Sequence, residues 1–134
     1  MMTSSIDGPR AVIAGHGDVA AGFVSAVQQI AGLGAVFRAV SNASLDAASI
    51  EAAIARAISE HRATIVFTDL PAGSCTIAAR KATRALTGVS VVTGVNLPML
   101  LDFALKGGVA PDDAAQSAAK GRDAIIVHTA PEVR

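Results

Sequence analysis

Short apolar runs rich in β-branched residues alternate along this chain with longer alanine-rich stretches whose apolar positions recur at helical spacing. Ala11-Val12-Ile13-Ala14 is apolar without interruption and is stopped by Gly15, the pattern of a buried strand. Asp18 is placed to cap a helix from Val19 to about Ile30, closed by Gly32 and Gly34. Ala35 to Val40 reads as a second strand. Asp46 or Ser49 then opens a helix to about Glu60, with Ile50, Ile54 and Ile58 as its core-facing stripe. Thr64 to Thr68 is a third strand ending at Asp69, and after the loop Leu70-Pro71-Ala72-Gly73 a helix runs from near Ser74 to about Leu86. Val89 to Thr93 is a fourth strand, and the turn Asn96-Leu97-Pro98 leads a helix to Lys106. Pro111-Asp112-Asp113 starts a last helix that ends near Gly121, and the β-branched Ile125-Ile126-Val127 reads as a strand.

Strands that are apolar throughout, alternating with helices, predict an α/β fold: an open, mostly parallel sheet of four strands with helices on both faces. Residues 1–10 are polar with Gly and Pro and read as a flexible arm, and residues 11–134 as a single domain.

Composition narrows the function. The chain has 134 residues, 51% of them hydrophobic, enough for a real core. Eleven basic residues balance eleven acidic ones, so no nucleic-acid or anionic-membrane surface is expected. Tyr and Trp are absent, which removes stacking platforms for single strands. Met1 to Arg10 lack a signal-peptide pattern, and the apolar runs are far shorter than the ~20 residues a membrane helix needs. A cytoplasmic protein is expected. Cys75 stands alone and reads as a small buried residue, and no Cys/His cluster has zinc-ligand spacing, so neither a metal nor a cofactor is expected.

Ligands of open parallel sheets bind beyond the carboxyl ends of the strands. There the chain places Gly15-His16-Gly17-Asp18, then Asp69 with Gly73-Ser74, then Thr93-Gly94-Val95-Asn96. Flanking glycines leave the His16 ring accessible, and the following helix start, with Gly17, offers N–H groups to an anion. Asp69 is available to take the Nδ1 proton of His16, which leaves Nε2 as a nucleophile toward phosphorus. Gly73 and Ser74, at another helix start, would bind the phosphoryl oxygens, and Asn96 would line the site. Plainer roles compete for each: a turn histidine bonded to a backbone carbonyl, a loop-bracing Asp69, and a Ser74 that only caps its helix.

Other chemistries fit less well. Gly15 to Ala20 matches the dinucleotide fingerprint, but the second strand ends in Val40-Ser41-Asn42 without the ribose-binding acid. No P-loop sequence is present. Ser74, His16 and Asp69 are the residue types of a hydrolase triad, but the serine lacks a G-x-S-x-G elbow. His61 and His128 read as bystanders.

Ala14-Gly15-His16-Gly17, Thr68-Asp69 with its Gly-Ser loop, and Gly94-Val95-Asn96-Leu97-Pro98-Met99-Leu100 together resemble the IIA component of mannose-family phosphotransferase systems, in order from about Ala11 to Arg122. The resemblance implies that His16 accepts phosphate from phosphorylated HPr, that Asp69 orients it, and that Ser74 faces the phosphate. It also implies a IIB protein or domain as acceptor, peripheral association with membrane permease components, and a homodimer that exchanges the C-terminal strand Ile125 to Thr129. The family loop usually reads Gly-Gly-Ser/Thr-Pro-Phe or Asn, whereas this chain has Ala72-Gly73-Ser74-Cys75-Thr76, which alters loop stiffness and the surface offered to a partner. The phosphocarrier subunit of dihydroxyacetone kinase shares the resembled fold and histidine, and a regulatory module binding a phosphometabolite is the alternative of a different class.

Overall fold

A computed structural model describes residues 8–106 and 112–131. Most of the expected N-terminal arm and the expected helix start at Pro111 lie outside these residues. Four strands, β1 (Ala11–Gly15), β2 (Phe37–Ser41), β3 (Ile65–Thr68) and β4 (Ser90–Val92), form one parallel sheet in the order β2-β1-β3-β4. Sequence pattern decides these places. β1 and β3 are buried at every position and take the centre, whereas β2 exposes Arg38 and β4 is only partly covered, as edge strands tolerate.

Helices α1 (Val19–Ala31), α2 (Ala47–His61), α3 (Ser74–Thr83), α4 (Leu97–Lys106) and α5 (Asp113–Asp123) cover the two faces. Successive strand residues point to opposite sides. Ala11, Ile13, Ile65 and Phe67 therefore pack with Val27 of α1, Leu100 and Phe103 of α4 and Ala114 of α5. Val12, Ala14 and Val66 pack on the other side with the Ile50, Ile54 and Ile58 stripe of α2 and with Cys75, Ala78 and Ala79 of α3. On the first face Phe37, Phe67 and Phe103 meet with ring centroids 5.4–6.2 Å apart, two of the three pairs edge-on. Each such contact adds roughly 0.5–1.5 kcal/mol beyond the area it buries.

Helix ends follow local chemistry. Asp46 caps α2 by accepting the Ser49 N–H at 2.8 Å. Asp18 stands at the start of α1 as expected, yet its side chain makes no capping bond. The helix expected to reach Leu86 stops at Thr83, and the stretch before β2 tightens into a 3-10 turn at Gly34–Val36. No helix among the described residues is long and apolar enough to cross a membrane.

The C-terminal segment differs from expectation within the single chain. Residues 125–131 form no strand, and Ile125, Ile126 and Val127 are 72%, 66% and 85% exposed. A strand exists only where a ladder partner pairs its N–H and C=O groups, and the sheet of this chain closes without reaching that segment.

Phe67 touches both other rings from a central strand and is fully buried. Phe67→Ala is expected to lower stability by about 3–5 kcal/mol, read from the denaturant midpoint. A loss under about 1 kcal/mol would contradict this core assignment.

Candidate functional site

Connections leave β1 toward β2 on one side, and the chain crosses to β3 on the other, so the strand order reverses between β1 and β3. Such a reversal opens a crevice beyond the strand ends. His16 directly follows β1 and Asp69 directly follows β3, and the register that pairs Ala14 with Thr68 brings them level. One carboxylate oxygen, Asp69 Oδ2, accepts two bonds from His16: the backbone N–H at 2.9 Å and the ring Nδ1 at 2.9 Å.

The protonation pattern follows from these bonds. Burial disfavours the Asp69 charge, but the hydrogen bonds from the His16 backbone N–H and ring and the electrostatic pull of that ring outweigh it, so the carboxyl sits below its ordinary value. An ionised Asp69 only accepts, so Nδ1 must carry the proton and Nε2 keeps its lone pair. The His16 side chain is 42% exposed while that of Asp69 is 14% exposed, so the ring is reachable and its anchor is shielded. Asp69 Oδ1 is buried and takes no hydrogen bond from any neighbouring residue.

Two glycines make this geometry possible. A Cβ on Gly15 would lie 2.4 Å from Val19 Cγ1 and 3.3 Å from Asp69 Oδ2, so the Val19 side chain would have to move and the carboxylate would be crowded. Gly73 has φ +114° and ψ 174°, a conformation open to glycine, and it aims the first turn of α3 toward the histidine. Behind that loop Thr76 Oγ1 lies 2.7 Å from Thr68 Oγ1 and 2.5 Å from the Leu70 carbonyl, bracing the turn that carries Asp69.

Ser74 is the first residue of α3 and not its cap, which is Gly73; its Oγ lies 3.3 Å from His16 Nε2. The first N–H groups of any α-helix have no intrahelical acceptor and carry the positive end of its dipole. His16 Nε2 thus faces a hydroxyl and a helix start suited to an anion. Serine, histidine and aspartate also stand in the connectivity of a hydrolase triad, although 3.3 Å is long for an activating O–H···N bond.

The remaining candidates are placed differently. The Gly17 N–H donates to Asn42 Oδ1 at 3.1 Å and its carbonyl accepts from Ser41 Oγ at 2.8 Å, so Gly17 is bonded to the end of β2. Asn96 donates to the Gly121 carbonyl at 2.9 Å and accepts from the Met99 N–H at 3.2 Å, capping α4 and holding α5. His61 faces Glu60 at 3.8 Å on α2, and His128 lies in the exposed C-terminal segment.

Sequence reasoning missed Asn42 and Thr76 as supports, and it missed the company Cys75 keeps. Cys75 is fully buried, and burial together with the Asp69 charge raises its thiol pKa. Ligating atoms of His16, Asp69 and Cys75 lie within 4.8 Å of one another. Beside Ser74, a groove of about 270 Å³ is lined by Ala47, Ile77, Ala78 and Lys81 as well. Ile77 in this groove and Leu70 on the Asp69 loop are both half exposed.

The family model EIIA-man, described as PTS system fructose IIA component, matches residues 10–120. None of the curated proteins is significantly similar in sequence. Among solved structures, the mannose/sorbose specific IIA subunit of the phosphotransferase system from Enterococcus faecalis is 23% identical, with 95% of this chain and 99% of that one covered and a TM-score of 0.78. Phosphotransferase system component EIIA from Streptococcus agalactiae is 22% identical, with 88% and 95% covered and a TM-score of 0.79. The PTS IIA protein associated with the fucose utilization operon from Streptococcus pneumoniae is 19% identical, with 90% and 93% covered and a TM-score of 0.76. These likenesses establish the fold.

The depressed Asp69 pKa carries a sign. A lowered carboxyl contributes stability that is present above its unfolded value, about 3.9, and is lost as pH falls through the folded value. Wild type is therefore expected to exceed Asp69→Asn in unfolding free energy near neutral pH, and that margin should shrink as pH falls below about 5. Denaturant titrations at several pH values check this. A margin that grows on acidification would contradict it.

Proposed function

The chain belongs to the EIIA-man family of phosphotransferase-system IIA components, phosphocarriers of sugar phosphotransferase systems, and on that footing we propose that His16 carries the phosphoryl group on Nε2. The observation that supports this most is the single oxygen of Asp69 that holds Nδ1 at 2.9 Å and leaves Nε2 open beside Ser74.

Transfer then proceeds by displacement at phosphorus. The Nε2 lone pair forms the new N–P bond as the bond to the donor breaks, and the donor nitrogen takes back its electron pair. The His16 ring becomes positive, and the ionised Asp69 beside Nδ1–H stabilises that charge without taking the proton. Ser74 Oγ and the first N–H groups of α3 receive the phosphoryl oxygens, whose charge is spread through a loose transition state. Gly17 would contribute only if phosphate displaced Asn42 from its N–H. Passing the group on reverses these steps.

Phosphorylated HPr is the proposed donor and a IIB protein or domain the proposed acceptor, met in the cytoplasm. The half-exposed Leu70 and Ile77, on the loop and helix that carry Asp69 and Ser74, give such partners apolar area to cover. The exposed Ile125 to Thr129 segment would add a strand to the sheet of a second protomer, which would satisfy its backbone and hide its three apolar side chains.

Incubation with phosphoenolpyruvate, enzyme I and HPr is expected to add the mass of one phosphoryl group, labile in acid. His16→Ala should abolish the label with unchanged circular dichroism, and Ser74→Ala should slow its formation by up to about a hundredfold. Absence of label while HPr is itself phosphorylated, or an undiminished label in His16→Ala, would overturn the proposal.

A further inference from the structure

Cys75 has no part in the phosphoryl chemistry, yet it lies against the two residues that do. It is the second residue of α3 and is fully buried, in the cluster that holds Val12, Ala14 and Val66 of the sheet. A nitrogen of His16, an oxygen of Asp69 and the Cys75 sulfur fall within 4.8 Å of one another, and this is the group of His, Cys, Asp and Glu with metal-holding proximity found among the described residues. A second, independent observation concerns the carboxylate. Asp69 Oδ1 is buried and takes no hydrogen bond from any neighbouring residue, although its twin Oδ2 accepts two bonds. A buried, ionised oxygen with no donor is costly and asks for a positive partner.

From this juxtaposition we propose that His16, Asp69 and Cys75 form a site for a thiophilic divalent cation of the zinc class, and that occupying it blocks phosphoryl acceptance.

The donor set has the right chemistry. One imidazole, one carboxylate and one thiolate suit a borderline-soft ion that takes four ligands, with water or Ser74 Oγ available as the fourth. Bond lengths of roughly 2.0–2.3 Å place tetrahedral ligands about 3.3–3.7 Å apart, so the widest separation here must close by about 1 Å. The His16 ring, on a turn between two glycines, is the side chain free to make that adjustment. Charge balances simply: the ion displaces the thiol proton to solvent, while the carboxylate and imidazole donate existing lone pairs.

Blockade follows whichever ring nitrogen binds. Coordination through Nε2 occupies the nucleophile itself. Coordination through Nδ1 drives the proton to Nε2 and removes the lone pair there. This regulatory consequence rests on His16 being the phosphoryl acceptor, whereas the binding of the ion does not.

Cobalt(II) is the probe that separates the two. Wild-type protein stripped with a chelator is expected to bind one equivalent of cobalt with a thiolate-to-metal charge-transfer band in the near ultraviolet, and zinc should bleach that band. Cys75→Ser and Cys75→Ala should both lose it. With purified phospho-HPr as the only donor, zinc should slow phosphorylation of wild type by about tenfold or more relative to the same protein without zinc, and a chelator should restore it. The same ratio measured within Cys75→Ala should stay near one. Cobalt that fails to bind wild type, or binds without a thiolate band, overturns the site. Equal zinc sensitivity in wild type and Cys75→Ala overturns the regulatory role. A thiolate band in protein that takes no phosphate from phospho-HPr supports the metal site and removes the carrier reading instead.

Discussion

Everything at the strand ends is organised around one carboxylate oxygen, Asp69 Oδ2, which accepts both the backbone and the ring N–H of His16. Charge-assisted bonds of this kind contribute roughly 1.5–3 kcal/mol each, and they act across two chain segments 53 residues apart. The backbone bond fixes where the loop after β1 sits, and the ring bond fixes the tautomer. Gly15 is required because any side chain there would intrude on Val19 and on the carboxylate itself. The buried Thr68 and Thr76 hydroxyls hold the Asp69 loop from behind.

The sheet makes that contact reproducible. β1 and β3 are the two fully buried strands, and they are neighbours, so the residues that follow them leave a stiff platform side by side. Helix α3 then brings three side chains to the same place through its first turn: Ser74 toward the histidine, Cys75 within 4.8 Å of the His16 and Asp69 ligating atoms, and Thr76 into the loop. A carrier must bind two partners in turn and hold a labile bond in between. On the proposed reading, an accessible ring over a shielded acid meets both needs, since the His16 ring stays open while the charge beside it is kept from solvent.

Much of this was legible in the chain. Uninterrupted apolar runs identified the central strands, the isoleucine stripe gave the buried face of α2, and the rule about strand ends gathered His16, Asp69 and Ser74. Roles that depend on a third partner were not legible. Ser74 looks like a helix cap until Gly73, at φ +114°, takes the capping position and frees the hydroxyl. Gly17 looks free to bind an anion until Asn42, from the end of a different strand, occupies its N–H. Asn96 was expected to line the site and instead ties α4 to α5. Cys75 carries no local spacing signal because its neighbours come from two other loops. The C-terminal β-branched run has strand propensity but no ladder partner in its own chain, and propensity alone does not make a strand.

If His16 is the proposed carrier, Asp69 decides which of its nitrogens takes the phosphoryl group. Nitrogen-15 NMR of imidazole-labelled protein, before and after phosphorylation, reads this directly. A protonated Nδ1 is expected in the resting protein, with phosphorus coupling to Nε2 alone afterward. Phosphorus coupled to Nδ1, or a resting ring protonated on Nε2, would contradict it.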